Sequence, residues 1–413
     1  MDKINILGIN IDNLDKKQVL AKIEQFLAGD EPNYIVTPNP EIILAAQKDE
    51  EFFYILNKAD LAIPDGVGLK FAGWAMGKNI KRITGTDLVR DILDELGVPP
   101  IRRAGRNNEL RIGIINWRGG LSKEEDLKTS LQKIYSDIQF YIQNIDRKGR
   151  LFNLEGMNSF QPNILFVALG APWQEKFIYH NLKRLPSVKL AIGVGGAFDF
   201  LTGRIKRAPR FMQIIGLEWL WRLFKQPWRA KRIWKAVVVF PLEFFKWRFV
   251  LPFFYRPNVA CLLYKKENDK HKIFLVERSS DKGHWQLPQG GTDGYDLFTA
   301  GAKELSEESG TDKFRLVKVF KNVYRYKFGE EKGRANIFCR HIYGYRGQKQ
   351  GLFIAEFIGQ DEDIKISFWD HSGWKWVAAD RLVDEVHQIR KEGVKIFLEK
   401  FRNLDKQFKL AKN

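Results

Sequence analysis

Short, continuous apolar runs in the first half of the chain constrain its fold most strongly. The clearest are Arg111 to Ile115, Ile164 to Leu169 and Leu190 to Val194, and each is followed by a polar residue or a glycine. Unbroken runs of this kind are typical of strands that are buried on both faces of a parallel sheet. Because helical patterns separate the runs, the sequence predicts an α/β domain with a Rossmann-like parallel sheet.

Residues that directly follow the predicted strands are the first candidates for function. Two more short strands are predicted at Tyr34 to Thr37 and Leu61 to Ile63, with one helix between them from Glu41 to about Leu56. Ligands of parallel sheets bind in the crevice beyond the carboxyl ends of the strands. Five residues are therefore expected at this crevice: Thr37, Asn39, Asp65, Gly170 and Gly195. Asp65 lies in a Pro-Asp-Gly turn, where aspartate is also ordinary turn chemistry, so on its own it does not decide between the two roles.

The chain carries a large positive charge, much of it in one segment. It has 68 Lys and Arg residues against 50 Asp and Glu, a formal charge of +18. Such a chain is expected to meet nucleic acid, an anionic membrane surface or phosphate-rich substrates. Residues Trp219 to Arg256 hold nine of the basic residues, one acid (Glu243) and five of the twelve tryptophans. Pro227, Pro241 and Pro252 are predicted to break this segment into short pieces.

Five sequence motifs occur in order along the first half of the chain. They are TPNPE from Thr37, IPDGVG from Ile63, RITGTDL from Arg82, ALGAPWQEKF from Ala168 and GVGGAFDFLTGRIKRAPRFMQIIGLEWLWRL from Gly193. Together they resemble the WecG/TagA/CpsF family of glycosyltransferases over about residues 3 to 235. The resemblance implies inverting transfer of an N-acetylmannosamine-type sugar from a UDP donor to undecaprenyl-diphosphate-linked N-acetylglucosamine. We expect no strict need for a metal in this step, because arginines can neutralise the leaving diphosphate.

The resemblance also assigns roles to residues of these motifs. Asp65 is implied as the general base that takes a proton from the acceptor hydroxyl, with Thr37 beside it in the sugar site. The departing UDP carries extra negative charge, which cations or backbone donors must stabilise. The further substrate-binding residues that the resemblance implies are Asn39, Arg82, Gly170, Gln174, Glu175, Arg222, Arg229 and Arg232.

A second motif region begins at Trp285 and reads WQLPQGGTDGYDLFTAGAKELSEESGT. A helix is predicted from Leu297 to Ser309, with Gly310 as its left-handed terminator. Three glutamates at spacing i, i+3 and i+4 share one face of this helix: Glu304, Glu307 and Glu308. Such a face is commonly just a solvated acidic surface. Beside a Gly-Gly loop it indicates a site for a hard cation.

This region resembles the Nudix hydrolase box, with three departures. The box is one residue short between Gly290 and Gly310, Asp296 stands in place of the first Glu, and Lys303 replaces the Arg. The glutamates that the resemblance assigns to the metal are intact, so activity is expected. Slower chemistry and a degenerate domain stay open as alternatives.

The strings WQLPQGG, YRYKF, GQKQ and GWKWV resemble the RNA pyrophosphohydrolases and diadenosine tetraphosphate hydrolases, over about residues 257 to 400. The resemblance implies a Mg²⁺ or Mn²⁺ cofactor and a nucleoside polyphosphate or an RNA 5′ end as substrate. Glu308 is implied in catalysis as well as in metal binding, and Asp370 as a metal ligand or water activator. The residues implied to face the polyphosphate are Arg278, Tyr326 and Lys327.

The predicted organisation is a transferase domain at residues 1–218, a basic aromatic appendage at 219–256 and an α/β/α Nudix domain at 257–413. Because the implied acceptor keeps its polyprenyl tail in the bilayer, we expect the appendage to dock on the inner face of the cytoplasmic membrane. No stretch of 18 apolar residues exists to span it. The N-terminus lacks a signal-peptide pattern, and only two cysteines, Cys261 and Cys339, are present. A cytoplasmic, peripheral location is therefore expected.

Alternatives to this interpretation follow from the same residues. The charge of +18 and the interleaved Trp and Arg residues are also compatible with nucleic-acid binding. The N-terminal half is alternatively a nucleotide-sugar or lipid binding module beside an active Nudix hydrolase. The aromatic residues of the appendage alternatively pack between the two domains. The transferase resemblance also makes a homo-oligomer one expectation.

Overall fold

The computed structural model describes most of the chain, in five stretches: residues 3–96, 110–214, 217–268, 270–328 and 343–410. The chain divides into two compact units, Met1–Lys246 and Trp247–Asn413. Cys339 lies outside the described residues, and Cys261 is a buried free thiol. Within the described stretches, no helix is both long and apolar enough to cross a bilayer.

A parallel sheet lies in the first unit, as the apolar runs predict. After an antiparallel hairpin of β1 (Lys3–Ile6) and β2 (Ile9–Asp12), its strands follow as β3 (Asn33–Val36), β4 (Leu61–Ala62), β5 (Arg111–Trp117), β6 (Gln139–Ile145), β7 (Ile164–Ala168) and β8 (Leu190–Gly193). Among the described residues the order across the sheet is β4-β3-β8-β7-β5-β6, and neighbouring strands are parallel. Strands β7 and β8 are buried along their whole length. The predicted parallel-sheet α/β fold is confirmed.

Helices connect these strands and continue beyond the last of them. In chain order they are α1 (Lys16–Ala28), α2 (Pro40–Ala46), α3 (Glu50–Lys58), α4 (Val67–Trp74), α5 (Gly85–Leu96), α6 (Glu124–Ile134), α7 (Leu154–Phe160), α8 (Trp173–Asn181), α9 (Ala197–Leu201), α10 (Arg210–Ile214), α11 (Glu218–Lys225), α12 (Ala230–Trp234) and α13 (Phe240–Phe245). The predicted single helix from Glu41 to about Leu56 is wrong, because α2 and α3 replace it. The side chain of Asp49 accepts a hydrogen bond from the Phe52 N–H at 3.0 Å and so starts a new helix.

The end of the first unit is more continuously helical than its prolines predict. Pro227 begins a short 3₁₀ turn after α11, as expected. Pro241 does not break the chain, because residues Lys235–Val239 form a π-helical turn that joins α12 to α13. The N–H of Phe240 bonds to the carbonyl of Lys235, five residues earlier, and this wider turn accommodates the proline. The predicted break at Pro241 is therefore wrong.

The second unit is built on a mixed sheet. Its strands and helices are β9 (Tyr255–Glu267), β10 (Lys270–Arg278), β11 (Trp285–Gln286), β12 (Gln289–Gly291), α14 (Leu297–Ser309), β13 (Phe314–Lys327), β14 (Gly347–Phe357), β15 (His371–Ala378), α15 (Leu382–Glu385) and α16 (Lys391–Leu410). The order is β11-β10-β9-β14-β13, with β12 paired to β9 and β15 to β10. The predicted hairpin of β9 and β10 is confirmed, but both strands run further into the charged segment, since Tyr264 to Glu267 pairs with Lys270 to Ile273.

Candidate active sites in the two units

The first unit contains a cleft of about 960 Å³ at the carboxyl ends of its strands. Strands β3, β4, β7 and β8 are adjacent or nearly so in the sheet, so the loops that follow them meet at one edge. Residues from these loops and from the helices beyond α11 line the cleft. Eight of the predicted site residues are among them: Thr37, Asn39, Asp65, Gly170, Gln174, Gly195, Arg229 and Arg232.

Thr37 and Asp65 face the same point of this cleft. The buried hydroxyl of Thr37 donates a hydrogen bond to the carbonyl of Gly193 at 3.3 Å. The Asp65 carboxylate accepts a bond of 3.4 Å from the N–H of Gly85, the first residue of α5. A Cβ added at Gly85 would lie 3.8 Å from Thr37 Oγ1 and 3.9 Å from Asp65 Oδ2. The two side chains therefore meet above a helix N-terminus, whose dipole favours negative charge.

Gln174 connects two loops of the cleft through its side chain. Its Oε1 atom accepts hydrogen bonds from the N–H groups of Gly170 at 3.2 Å and Gly195 at 2.9 Å. Its Nε2 atom donates to Glu175 Oε1 at 2.8 Å. Glu175 is fully buried and is absent from the cleft lining that the structure describes. The structure thus places Glu175 behind Gln174 and not in contact with the cleft, and burial raises the pKa of its carboxyl to about 7.

The predicted arginines occupy different environments. Arg229 Nη1 donates to Gln226 Oε1 at 3.1 Å, and Arg232 Nε donates to the Glu41 carboxylate at 2.6 Å. Both line the cleft. Arg82 instead pairs with Glu218 at 3.3 Å, which ties the start of α11 to the loop before α5.

Arg222 lies in α11, and its side chain is outside the described part of the structure.

Sequence reasoning missed other charged residues of the cleft. Arg147 follows β6 and stacks over the ring of Trp117, with 3.7 Å between the guanidinium carbon and the ring centroid. Lys235 adds a second cation, from the π-helical turn. The signal for Arg147 was its position directly beyond a strand end, since the rule that selects Asp65 selects it too. Lys235 carried no comparable signal, because a basic residue among many gives no hint of which way it faces.

The glutamate helix of the second unit has the expected ends. The left-handed terminator at Gly310 is confirmed, with a φ of 69°. Any Cβ there would overlap the carbonyl of Lys365, so only glycine fits. Asp296 is the N-cap of α14, and its carboxylate accepts bonds from the N–H groups of Phe298 at 2.9 Å and Thr299 at 3.1 Å. This residue, which stands where the Nudix box has its first Glu, therefore serves the helix start.

The three glutamates of α14 differ in exposure although they share a face. Glu308 is 3% exposed, Glu304 is half-buried and Glu307 is exposed. A Cβ at Gly290 would overlap the Glu304 carboxylate, so the glycine loop lies directly against this side chain. Burial, and then the charges of Glu308 and Glu304, raise the pKa of the nearby Cys261 thiol. The buried Glu308 carboxylate and the half-buried Glu304 carboxylate, beside the glycine loop, fit a divalent cation, and Glu304, Glu307 and Glu308 are the residues that would hold it.

Asp370 and Arg278 form an ion pair beside this helix. Arg278 Nη2 lies 2.6 Å from Asp370 Oδ2, and the N–H of Ser280 donates to Asp370 Oδ1 at 2.9 Å. The next residue, His371, places its Nε2 atom 3.5 Å from Glu308 Oε2. Burial lowers the pKa of His371 to about 4, so its ring is neutral at pH 7. Asp370, which is predicted to bind metal, is thus paired with Arg278, which is predicted to bind the polyphosphate.

The strings YRYKF and GQKQ lie side by side on neighbouring strands. Tyr324, Arg325, Tyr326 and Lys327 of β13 pair in register with Gln350, Lys349, Gln348 and Gly347 of β14. The hydroxyl of Tyr326 donates to Gln348 Oε1 at 2.6 Å. The amide of Gln350 donates to Asn258 Oδ1 on β9 at 2.8 Å. Two motifs that are separate in the sequence thus lie together across three strands, where Gln348, Gln350 and Asn258 are buried.

The fold and the sites define a two-part chain: a parallel-sheet domain with a strand-end cleft that holds both carboxylates and cations, and a mixed-sheet domain with a glutamate helix. The chain belongs to the glycosyl transferase WecG/TagA/CpsF family, whose family model matches residues 4–252. Residues 254–397 match the NUDIX domain. The chain therefore combines a glycosyltransferase of this family with a Nudix hydrolase domain. Nudix hydrolases generally depend on a divalent metal ion.

Curated relatives of the two parts are different proteins. An N-acetylglucosaminyldiphosphoundecaprenol N-acetyl-beta-D-mannosaminyltransferase of Bacillus subtilis (strain 168) is 33% identical over 233 residues, which is 54% of this chain and 80% of that protein. An RNA pyrophosphohydrolase of Wolbachia pipientis subsp. Culex pipiens (strain wPip) is 36% identical over 162 residues, 37% of this chain and 92% of that protein. A solved C. elegans Ap4A hydrolase complex has 16% identity and a TM-score of 0.27, over 36% of this chain and 98% of that chain.

Proposed function

We propose that the first unit transfers an N-acetylmannosamine-type sugar from a UDP donor to undecaprenyl-diphosphate-linked N-acetylglucosamine, with inversion. The observation that carries this proposal is the meeting of Asp65 and Thr37 at Gly85, inside the cleft. A half-buried carboxylate at a strand end can take the proton of an acceptor hydroxyl as that hydroxyl attacks the anomeric carbon. The relative from Bacillus subtilis is named for this transfer.

The cations of the cleft would stabilise the departing nucleotide. Arg229, Arg232, Arg147 and Lys235 all line it, and charge that develops on a leaving diphosphate is stabilised by such preorganised groups. We propose that this step has no strict need for a metal ion.

The test of the transferase proposal is a transfer assay with radiolabelled UDP-sugar and a lipid-diphosphate-linked N-acetylglucosamine acceptor. Label in the lipid product that depends on Asp65 supports it. Binding of the UDP-sugar without any transfer would favour the alternative, a nucleotide-sugar or lipid binding module.

We also propose that the second unit hydrolyses a nucleoside polyphosphate or an RNA 5′ diphosphate linkage with Mg²⁺ or Mn²⁺. A cation at the α14 glutamates would lower the pKa of an attacking water and neutralise phosphate charge. Glu308 is buried, with its Oε2 atom 3.5 Å from His371 Nε2, and we propose that its carboxylate acts in catalysis as well as in holding the cation. Arg278, Tyr326 and Lys327 are proposed to orient the polyphosphate. Release of phosphate from a panel of nucleotides and triphosphorylated RNA, with each metal in turn, tests this.

A third proposal is that the residues from Trp219 to Arg256 attach the enzyme to the inner face of the cytoplasmic membrane. The structure shows that only some aromatic residues of this segment are exposed enough to contact a membrane. Trp247 is 2% exposed and Phe244 is also buried, so these two pack inside the protein. Trp234 and Phe245 are exposed and keep the predicted role. The side chain of Trp228 lies outside the described part of the structure.

A further inference from the structure

Helix α4 has an exposed apolar face that lies outside the predicted appendage. Phe71 is 66% exposed and Trp74 is 80% exposed, although both are large apolar side chains. They are three residues apart and so share one side of the helix. The opposite side is buried through Leu69 and Ala72. An amphipathic helix normally turns its apolar side inward, so a second apolar side that faces outward indicates a surface made for contact.

Helix α4 packs against α13, which has an exposed apolar face of its own. Gly68 of α4 lies against the Phe240 ring of α13, where an added Cβ would be 3.7 Å from the ring carbons. From α12 to α13, exposed apolar side chains recur at helical spacing along one side: Trp234, Val237, Leu242 and Phe245. Two contacting helices thus both present aromatic and aliphatic side chains to the outside.

Exposed lysines accompany these apolar residues. Lys70 is next to Phe71 on α4, and Lys231 and Lys246 lie among the apolar residues from α12 to just beyond α13. Long basic side chains can lay their methylene stems along an apolar surface and keep their charge in water. Aromatic rings with flanking lysines match the headgroup region of an anionic bilayer, which accepts both apolar depth and positive charge.

We propose that the exposed faces of α4 and α13 form one lipid-binding surface, with Phe71 and Trp74 inserted at the headgroup level of an anionic phospholipid bilayer. We call it the α4–α13 surface. Its residues are Phe71, Trp74, Trp234, Val237, Leu242 and Phe245. This inference rests on the proposed function, since it explains how a lipid-bound acceptor reaches the cleft.

The position of α4 links this surface to the chemistry. Gly66 is the N-cap of α4, so Asp65 comes immediately before the helix and Trp74 ends it. Eight residues of α-helix span about 12 Å. The proposed base is thus held about one short helix away from the inserted end. An acceptor sugar joined to its polyprenyl anchor by a diphosphate can cover that distance while the anchor stays in the bilayer.

The test uses the full chain and sucrose-loaded vesicles of phosphatidylcholine with and without phosphatidylglycerol. The double variant Phe71→Ser, Trp74→Ser removes the α4 part of the surface without touching the basic residues. The matched control is Leu121→Ser, Ile134→Ser, which removes two other exposed apolar side chains of the first unit, at 53% and 54% exposure. We expect the double variant to bind anionic vesicles at least tenfold more weakly than the wild type, and the control to bind as the wild type does.

Three results would overturn the proposal. One is equal binding of wild type and double variant to anionic vesicles. Another is equal loss in the control pair. The third is a wild type that binds no vesicles and sediments as an oligomer that the double variant dissociates, which would assign the surface to a second copy of this chain. Failure of the transferase proposal is seen separately, as absence of transfer to an acceptor whose lipid is short enough to stay in solution, and it leaves the vesicle result unaffected.

Discussion

The side-chain Oε1 of Gln174 accepts the N–H of Gly195 at 2.9 Å, and this bond joins the loop after β8 to the start of α8. The same oxygen accepts the N–H of Gly170, so one amide fixes two of the loops that form the cleft. Both glycines have positive φ, 52° at Gly195 and 75° at Gly170, which leaves their N–H groups turned toward a common acceptor. Gln174 is therefore a positioning residue for the cleft floor.

Replacing Gln174 with alanine should weaken transfer. The change leaves two backbone donors without their acceptor, a loss worth about 1–3 kcal/mol, or roughly fivefold to 150-fold in a rate or binding constant. We expect the effect to fall mainly on KM for the UDP donor, because the loops and not the proton transfer are disturbed. The measurement is steady-state transfer by Gln174→Ala, with Gln132→Ala on the exposed side of α6 as the control. A changed kcat with an unchanged KM would contradict this assignment.

The buried carboxyl of Glu175 predicts a pH-dependent stability. Its pKa is raised from the ordinary 4.5 to about 7, chiefly by burial. Between these values the folded state keeps a proton that the unfolded chain has released, so the free energy of unfolding falls as pH rises, by at most on the order of 3 kcal/mol. Glu175→Gln keeps an oxygen for Gln174 and removes the titration. The variant should gain thermal stability over the wild type between pH 5 and pH 8. A stability difference that is constant with pH would refute this.

The main-chain architecture of the first unit was predictable because burial dominates it. Strands β7 and β8 have no solvent-facing side, and their sequences carry that fact without any knowledge of the tertiary structure. The break between α2 and α3 was harder to predict, because its one signal is an N-cap at Asp49 within an otherwise uninterrupted apolar pattern. The π-helical turn before Pro241 was not predictable, since it depends on packing that permits a wider turn.

The candidate site residues likewise include some that could be predicted from the sequence and some that could not. Asp65 and Thr37 were accessible to prediction, because strand order brings their loops to one edge of the sheet. Glu175 and Arg82 were not, since a motif does not show which of its residues face inward or which carboxylate will pair with an arginine. The exposed Phe71 and Trp74 gave no sequence signal, because an apolar residue on a short helix normally indicates core.

Replacing Asp65 with asparagine should abolish most of the transfer. A general base contributes on the order of 10²–10⁴ in rate, and asparagine keeps the size of the side chain and an oxygen for the Gly85 N–H. The protein should unfold at the same temperature as the wild type and still bind the UDP donor. Single-turnover transfer measures the effect, and Asp137→Asn, an exposed carboxylate, is its control. Near-full turnover by Asp65→Asn would remove Asp65 from the role of base.

Glu307→Gln and Glu308→Gln should each abolish metal-stimulated phosphate release. Each removes a carboxylate from the α14 cluster that is proposed to hold the cation, while the matched control Glu362→Gln removes an exposed carboxylate on a separate turn. Chelation with EDTA should have the same effect on the wild type and be reversed by Mg²⁺ or Mn²⁺. Full activity in either variant would exclude that glutamate from the metal site, and no release by the wild type from any nucleotide tested would favour a degenerate domain.

Lysines of the appendage should make membrane binding depend on salt and on anionic lipid. Each basic residue near an anionic bilayer contributes about 1 kcal/mol, so the triple variant Lys225→Gln, Lys231→Gln, Lys246→Gln should weaken binding by up to about 100-fold. None of the three lines the cleft as the structure describes it. The control Lys17→Gln, Lys128→Gln, Lys133→Gln removes the same charge from other exposed positions. Co-sedimentation with anionic vesicles at low and high salt measures the binding of each variant and tests this prediction. Because these lysines act by charge and Phe71 and Trp74 by insertion, binding by the triple variant should depend less steeply on salt than binding by the wild type, whereas the aromatic variant should keep the wild-type salt dependence. Equal binding by the triple variant and its control would mean that total charge, and not the appendage, attracts the protein to the membrane.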